Sequence, residues 1–321
     1  MRRPGSGAVD GRAEAAQHGG MTTSLPGGPV DVPGAEGRLL RVDAHHHIWH
    51  VARGDYGWLT PDLPIHRDYG LEHLRPLLGE ISATVLVQAA PTEAETRFML
   101  DAARRSAGLV RAVVGWVYLA AESAADRVAA LAGEAPLKGL RPMLQDIVDT
   151  GWIMRPEVRS GLAAMERAGL RLDLLVQPRH LYLLPALADR HPGLPLVIDH
   201  GAKPRIADGA WQPWADGIAR VARETPALCK LSGLATEAAP GWTAQDVRPY
   251  VDHLLAEFGP ARLMWGSDWP VVDLAGGYTR WREATEVLLA DLDGAARDAV
   301  LGGTAARFYG FAGSEAGEGA A

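Results

Sequence analysis

A chain of 321 residues that is 47% hydrophobic can bury one large α/β core and is long for a simple sandwich. Its 32 Lys+Arg against 39 Asp+Glu give a formal net charge of -7 with no long basic run, which argues against a nucleic-acid partner. No window reaches the roughly 18 apolar residues of a membrane helix, so no membrane partner is expected.

Residues 1–37 are rich in Gly, Ala and Pro, lack apolar periodicity, and are expected to form a disordered extension. Arg2-Arg3 is followed by no apolar segment, which rejects a twin-arginine signal. Eight short apolar runs then read as buried strands. They span Arg38 to Asp43, Ala83 to Gln88, Val110 to Trp116, Leu137 to Arg141, Arg171 to Gln177, Pro195 to Asp199, Ala227 to Leu231 and Arg262 to Gly266. Helical patterns separate them: Thr92 to Ala107, with an acidic first turn and a basic last turn, then Arg155 to Ala168, with Pro156 in its first turn and Gly169 past its end. Further patterns run over Leu181 to Arg190, Trp214 to Arg223, Thr243 to Phe258 and Trp281 to Leu292. Residues 312–321 are small and polar and read as a flexible tail.

Strand–helix alternation implies parallel strands with helical crossovers. Eight repeats over residues 38–311 predict a single-domain (β/α)8 TIM barrel. A doubly wound sheet would want a Gly-rich phosphate loop after its first strand, and this strand ends in histidines instead.

Catalytic groups of such barrels sit at the C-terminal ends of the strands. Those ends carry Asp43, His45 and His47, then Gln88, Arg141, Gln177, Asp199-His200, Lys230, Ser232 and Asp268. In extended backbone residues i and i+2 project to one side, so His45 and His47 can reach one metal ion or one substrate oxygen while His46 points away. Arg141 is either an anchor for substrate oxygens or half of a salt bridge in the barrel mouth. Gln88 and, more weakly, Lys230 are further candidates to bind substrate; Glu95 could bind a substrate hydroxyl, but a helix-surface role is its stronger reading. Asp199 faces elsewhere or braces the rim. His200 can polarise a carbonyl or bind metal. Asp268 lies in Trp265-Gly266-Ser267-Asp268-Trp269-Pro270, where Gly266 permits close approach or an unusual φ and a carboxylate can take a proton from attacking water.

Trp49, Trp58, Trp116, Trp265 and Trp269 lie near these ends; each taken singly reads as core, and Trp49 also as a stacking face for substrate. His50, His66, His73, His180, His191 and His253 read as surface or structural. The single cysteine, Cys229, lies inside a strand run and reads as a buried, inert thiol, which is compatible with a reducing cytoplasm. Neither a GxSxG elbow, an HExxH helix, a Walker loop nor a strand-linked GxGxxG is present.

The run Val42-Asp43-Ala44-His45-His46-His47-Ile48-Trp49 resembles the opening of the amidohydrolase-2 branch of the amidohydrolase superfamily. So do Gly139-Leu140-Arg141-Pro142, Val197-Ile198-Asp199-His200-Gly201-Ala202-Lys203-Pro204 and Trp265 to Pro270. Within the branch the likeness is to the sugar-lactonase group of L-fuconolactonase and L-rhamnono-lactonase, over about residues 40–311. The resemblance implies a distorted TIM barrel that opens a sugar lactone by water attack. It implies Asp268 as general base, with His45, His47 and His200 stabilising the oxyanion. Metal-dependent relatives place a histidine at the end of the fifth strand, where this chain has Gln177. The implied cofactor is therefore none, or one divalent cation, zinc first, on His45, His47 and Asp268. Two alternatives stay open: a metal-dependent decarboxylase of an aromatic or unsaturated acid, and a non-catalytic sugar-acid-binding barrel. The sugar would be selected chiefly by loop side chains between Val51 and Asp68 and between Val271 and Tyr278.

Overall fold

The computed structural model describes residues 40–311; the expected N-terminal extension and C-terminal tail lie outside them. Eight strands form one parallel sheet in the order of the sequence. They are β1 (Val42–His46), β2 (Ala83–Val87), β3 (Val110–Gly115), β4 (Leu137–Leu140), β5 (Arg171–Leu174), β6 (Leu196–Ile198), β7 (Leu228–Leu231) and β8 (Leu263–Trp265). Each lies within a few residues of its predicted run. The first is the most displaced: it takes in His45 and His46, which the sequence reading placed after it.

Helices α1 (Leu71–Leu74), α2 (Glu93–Arg104), α3 (Ala124–Ala132), α4 (Pro156–Arg167), α5 (Leu184–Arg190) and α6 (Trp214–Glu224) follow the first six strands in turn. Then come α7 (Leu234–Glu237), α8 (Ala244–Phe258), α9 (Tyr278–Leu288), α10 (Gly294–Asp298) and α11 (Thr304–Tyr309). The local chemistry explains the starts: the Thr92 hydroxyl accepts the Glu95 N–H at the head of α2, and Pro156 opens α4. Helix α3 is absent from the sequence reading because it is an alanine-rich stretch with few large apolar residues. Among the described residues no helix is long and apolar enough to cross a membrane.

Strand alternation builds two cores. Val85, Val87, Ala112, Val114, Val197 and Met264 pack inside the barrel with Phe308 and Tyr309 of α11. Leu86, Val113, Leu172, Leu174, Leu196, Ile198 and Cys229 face the helices. Cys229 is fully buried and burial pushes its thiol up, as an inert cysteine requires.

The seam between β8 and β1 is closed at the rim rather than by a strand ladder among the described residues. The Asp268 N–H donates to the His45 carbonyl at 2.7 Å, and the His47 N–H to the Trp269 carbonyl at 2.7 Å. Gly266 is the contact point. A Cβ there would stand 2.7 Å from the His45 Cβ, so close approach, and not an unusual φ, is what the glycine provides.

Candidate active site

The site is built where this seam meets the rim. The β1–β2 ladder is irregular between Asp43 and His46, and such an irregularity re-aims side chains. His45 and His47 meet edge to face with ring centroids 4.9 Å apart. His46 turns away, its Nε2 2.9 Å from the Thr84 hydroxyl. The Asp43 carboxylate fixes the backbone beneath them: Oδ1 accepts the His45 N–H at 3.2 Å and the Ser267 N–H at 2.9 Å. Burial pushes this carboxyl up to about 6 against the hydrogen bonds from Ser267 and His45.

Asp268 is 4% exposed and sits at φ +59°, a left-handed conformation rare outside glycine but tolerated by Asp and Asn. His47 Nε2, His45 Nε2 and His200 Nε2 lie 3.3, 3.7 and 3.9 Å from its Oδ1. His200 also has a left-handed backbone, at φ +55°, and its Nδ1 lies 2.9 Å from the Ser232 hydroxyl. Burial opposes the Asp268 charge, but His200, His47 and His45 outweigh it and hold the carboxyl below its ordinary range. Burial lowers His200 to about 4. Burial and then Lys230 hold His45 well below its usual value. The rim thus presents one carboxylate among three imidazoles, of which His45 and His200 favour their neutral form.

Whether these residues suit a metal is decided by His47. Its Nδ1 lies 2.8 Å from the Val87 carbonyl, which can only accept, so Nδ1 carries a proton; in the neutral ring Nε2 then points a lone pair at Asp268. Two acceptor atoms 3.3 Å apart need a proton or a cation between them. That spacing is close to the edge of a tetrahedron with zinc bonds of about 2.0–2.1 Å, about 3.4 Å. The carbonyl on Nδ1 is the usual brace of a metal-bound imidazole. The set His45, His47 and Asp268, with ligand atoms within 4.8 Å of one another, therefore fits a divalent ion. The second set, His45, Asp199 and His200, is already filled by protein cations. Lys230 Nζ lies 3.1 Å and Arg141 Nη1 3.2 Å from Asp199.

Lys230 is the largest correction to the sequence reading. The sequence offered it, more weakly than Arg141, as a rim residue on substrate or in a salt bridge. It is fully buried inside the barrel, with Nζ 2.5 Å from Asp173 Oδ2, 3.1 Å from Asp199 Oδ1 and 3.2 Å from His45 Nδ1. Asp173, Asp199 and the His45 ring enclose the ammonium inside the barrel, away from any ligand at the rim. The Tyr309 hydroxyl donates to the same Asp173 Oδ2 at 2.7 Å. Despite its burial Asp199 stays ionised, held well below its usual value by Lys230, His45 and Arg141.

Trp49 is corrected as well: it is fully buried, its indole N–H donates to the Arg67 carbonyl at 2.8 Å, and its ring meets Trp58 and Tyr69 edge to face. Glu95 is not on a surface. Its carboxylate is buried and accepts the N–H groups of Ala89 and Ala90 at 3.0 and 2.8 Å, and burial pushes it up to about 7 against those bonds. Gln177 lies past the end of β5 with its amide oxygen on Arg179, while His180 turns its Nδ1 to the Gln177 N–H. What β5 delivers to the interior is Asp173. Arg141 makes its salt bridge to Asp199 and also donates to the Gln88 carbonyl. The Gln88 amide donates back to the Arg141 carbonyl at 2.8 Å. Gln88 Oε1 and Arg141 Nε are buried without a hydrogen-bond partner in the protein.

The sequence reading missed Asp173 and Tyr309. An acid between Leu172 and Leu174 in a strand was a usable signal; the tyrosine, 136 residues away, gave none.

Replacing Asp43 by Ala is expected to strand two buried N–H groups at roughly 1–3 kcal/mol each and lower Tm by about 5 °C or more. Asp43→Asn, which keeps an acceptor, should retain most of that stability; equal losses in thermal melts would remove the clamp role.

The amidohydrolase family profile matches residues 42–311. The chain is 44% identical over 277 residues to an L-fucono-1,5-lactonase of Burkholderia ambifaria, covering 84% of this chain and 95% of that protein. It is 38% identical over 291 residues to an L-fucono-1,5-lactonase of Burkholderia multivorans, covering 84% and 96%. An amidohydrolase crystal structure from Burkholderia multivorans with bound zinc superposes with a TM-score of 0.79 at 36% identity, over 84% of this chain and 99% of that one. With a buried carboxylate and three histidines at its closing seam, the chain belongs to the amidohydrolase family.

Proposed function

We propose that this protein hydrolyses the ring ester of a sugar lactone, an aldonolactone of the L-fucono or L-rhamnono kind, to the open sugar acid. The observation that carries the reading is the convergence of His45, His47 and His200 on one oxygen of Asp268. The lactonase names of two relatives support the substrate class.

Asp268, ionised and buried, takes a proton from a water whose oxygen attacks the lactone carbonyl carbon. His45 and His200 face the carbonyl oxygen as it gains charge, in a site that excludes bulk water, while His47, its one N–H spent on the Val87 carbonyl, acts on it only through a bound cation. The tetrahedral centre collapses, the ring C–O bond breaks, and the ring oxygen takes the proton from Asp268 to become a hydroxyl. Gln88 Oε1 and Arg141 Nε hold substrate oxygens. His45, His47 and Asp268 would hold a divalent ion such as zinc, which when bound supplies Lewis-acid polarisation.

A panel of aldonolactones followed by acid release in a pH-indicator assay tests the reading. Turnover of at least one class is expected; binding without turnover would instead favour the non-catalytic barrel. Carbon dioxide from an aromatic acid panel would favour the decarboxylase. A parallel series after exhaustive chelation tests the ion. Loss of rate restored by zinc assigns it a resident role; full rate with no metal by elemental analysis removes it.

A further inference from the structure

A cavity of about 540 Å³ opens on the loops that follow β1 to β4. Trp58, Trp116, Tyr118, Pro142, Met143 and Trp152 line it; none of His45, His47, His200 and Asp268 does. Its lining is nevertheless joined directly to residues of the site. Pro142 is bonded to Arg141, and the Trp58 indole donates at 2.7 Å to the carbonyl of Ala89, the neighbour of Gln88. Gln88 and Arg141, each with one unpartnered polar atom, thus follow the second and fourth strands, whose loops also line the cavity.

The lining has a consistent chemistry. The Trp116 and Tyr118 rings are stacked with centroids 6.3 Å apart and planes 24° apart, and Trp152 continues the row 6.3 Å from Tyr118. Tyr118 is 52% exposed, an unusual position for so large a ring without a partner. Two carboxylates stand at the edge of this platform. Asp55 is held by Arg53 and by the Thr92 hydroxyl at 3.1 Å, whereas Asp146 is open to solvent. An anionic ligand would meet the unpaired charge of Asp146, and a wholly apolar one would leave that acid idle. A pyranose ring satisfies both features: its C–H face covers aromatic rings and its equatorial hydroxyls donate to carboxylates. The volume lies within the range that encloses a drug-sized ligand and leaves room beyond a single lactone ring.

We propose that this aromatic cleft is a second-ring subsite, so that the enzyme accepts aldonolactones carrying a glycosyl substituent on the end remote from the carbonyl. The proposal rests on the lactonase reading above. In the productive complex the lactone carbonyl lies at Asp268, the chain of substrate oxygens passes Arg141 and Gln88, and the second ring lies on Trp116 and Tyr118.

The test compares the best monosaccharide lactone of the panel with glycosylated forms of the same lactone, on the parent protein, Trp116→Ala and Tyr118→Ala. The glycosylated lactone is expected to be turned over with kcat/KM at least equal to that of the plain one. Each substitution should lower the ratio of the two kcat/KM values by about three- to tenfold, the scale of one aromatic contact. Tyr118, half exposed, tests the subsite even if the tryptophan variant does not fold. Refusal of every glycosylated form, or equal loss on both substrates, overturns the subsite and leaves the lactonase reading standing. Absence of all lactone turnover by the parent protein overturns both.

Discussion

Asp268→Asn is expected to lower kcat by about 10²- to 10⁴-fold, the usual worth of a general base, with the barrel intact. Asparagine has the same shape and, like aspartate, tolerates the left-handed backbone at φ +59°. It keeps the backbone N–H bond to the His45 carbonyl that helps close the seam. What it loses is the anion among three imidazoles and the atom that receives the proton. Acid-release kinetics beside a thermal melt separate these effects. Undiminished kcat would end the role of Asp268 as base, and a collapse in Tm would make it structural.

The second large effect concerns the barrel interior. Lys230→Met removes one cation from between Asp173 and Asp199, all three fully buried. Breaking such a pair leaves an uncompensated charge and costs about 3–5 kcal/mol. For a domain of this size that corresponds to a Tm lower by roughly 6–20 °C. Turnover should fall too, because Lys230 also faces His45 Nδ1 at 3.2 Å. Adding Asp173→Asn to Lys230→Met should recover part of the stability, since it deletes one of the stranded charges. Urea unfolding checks both variants. A single variant within 1 kcal/mol of the parent would mean that Lys230 is not the counter-ion of these acids.

The barrel was legible because buried parallel strands appear as short apolar runs, and its eight runs matched eight strands. The first strand was misplaced for a physical reason. His45 and His46 are strand residues whose polarity is absorbed by Asp268 and Thr84, so they read as loop. The rim was legible in part, since strand ends point to the mouth: His45, His47, His200 and Asp268 do converge. Lys230 shows the limit. It lies between Cys229 and Leu231, which are turned outward, and alternation drives it into the barrel rather than to the rim. Its partner Asp173 is 57 residues away, and no local pattern announces such a pair. Trp49 shows the converse: an aromatic beside the motif whose one donor is spent on the Arg67 carbonyl.

Closing the barrel through Asp268, His45 and His47 ties fold integrity to chemistry at a single junction. Any opening of the cylinder there separates the base from its imidazoles, even while the other seven junctions hold. Deuterium uptake at the Asp268 and His47 amides therefore counts the time each molecule spends unable to turn over. A circular permutation that places new termini at this junction, unlike one at any other, would produce a folded but silent protein.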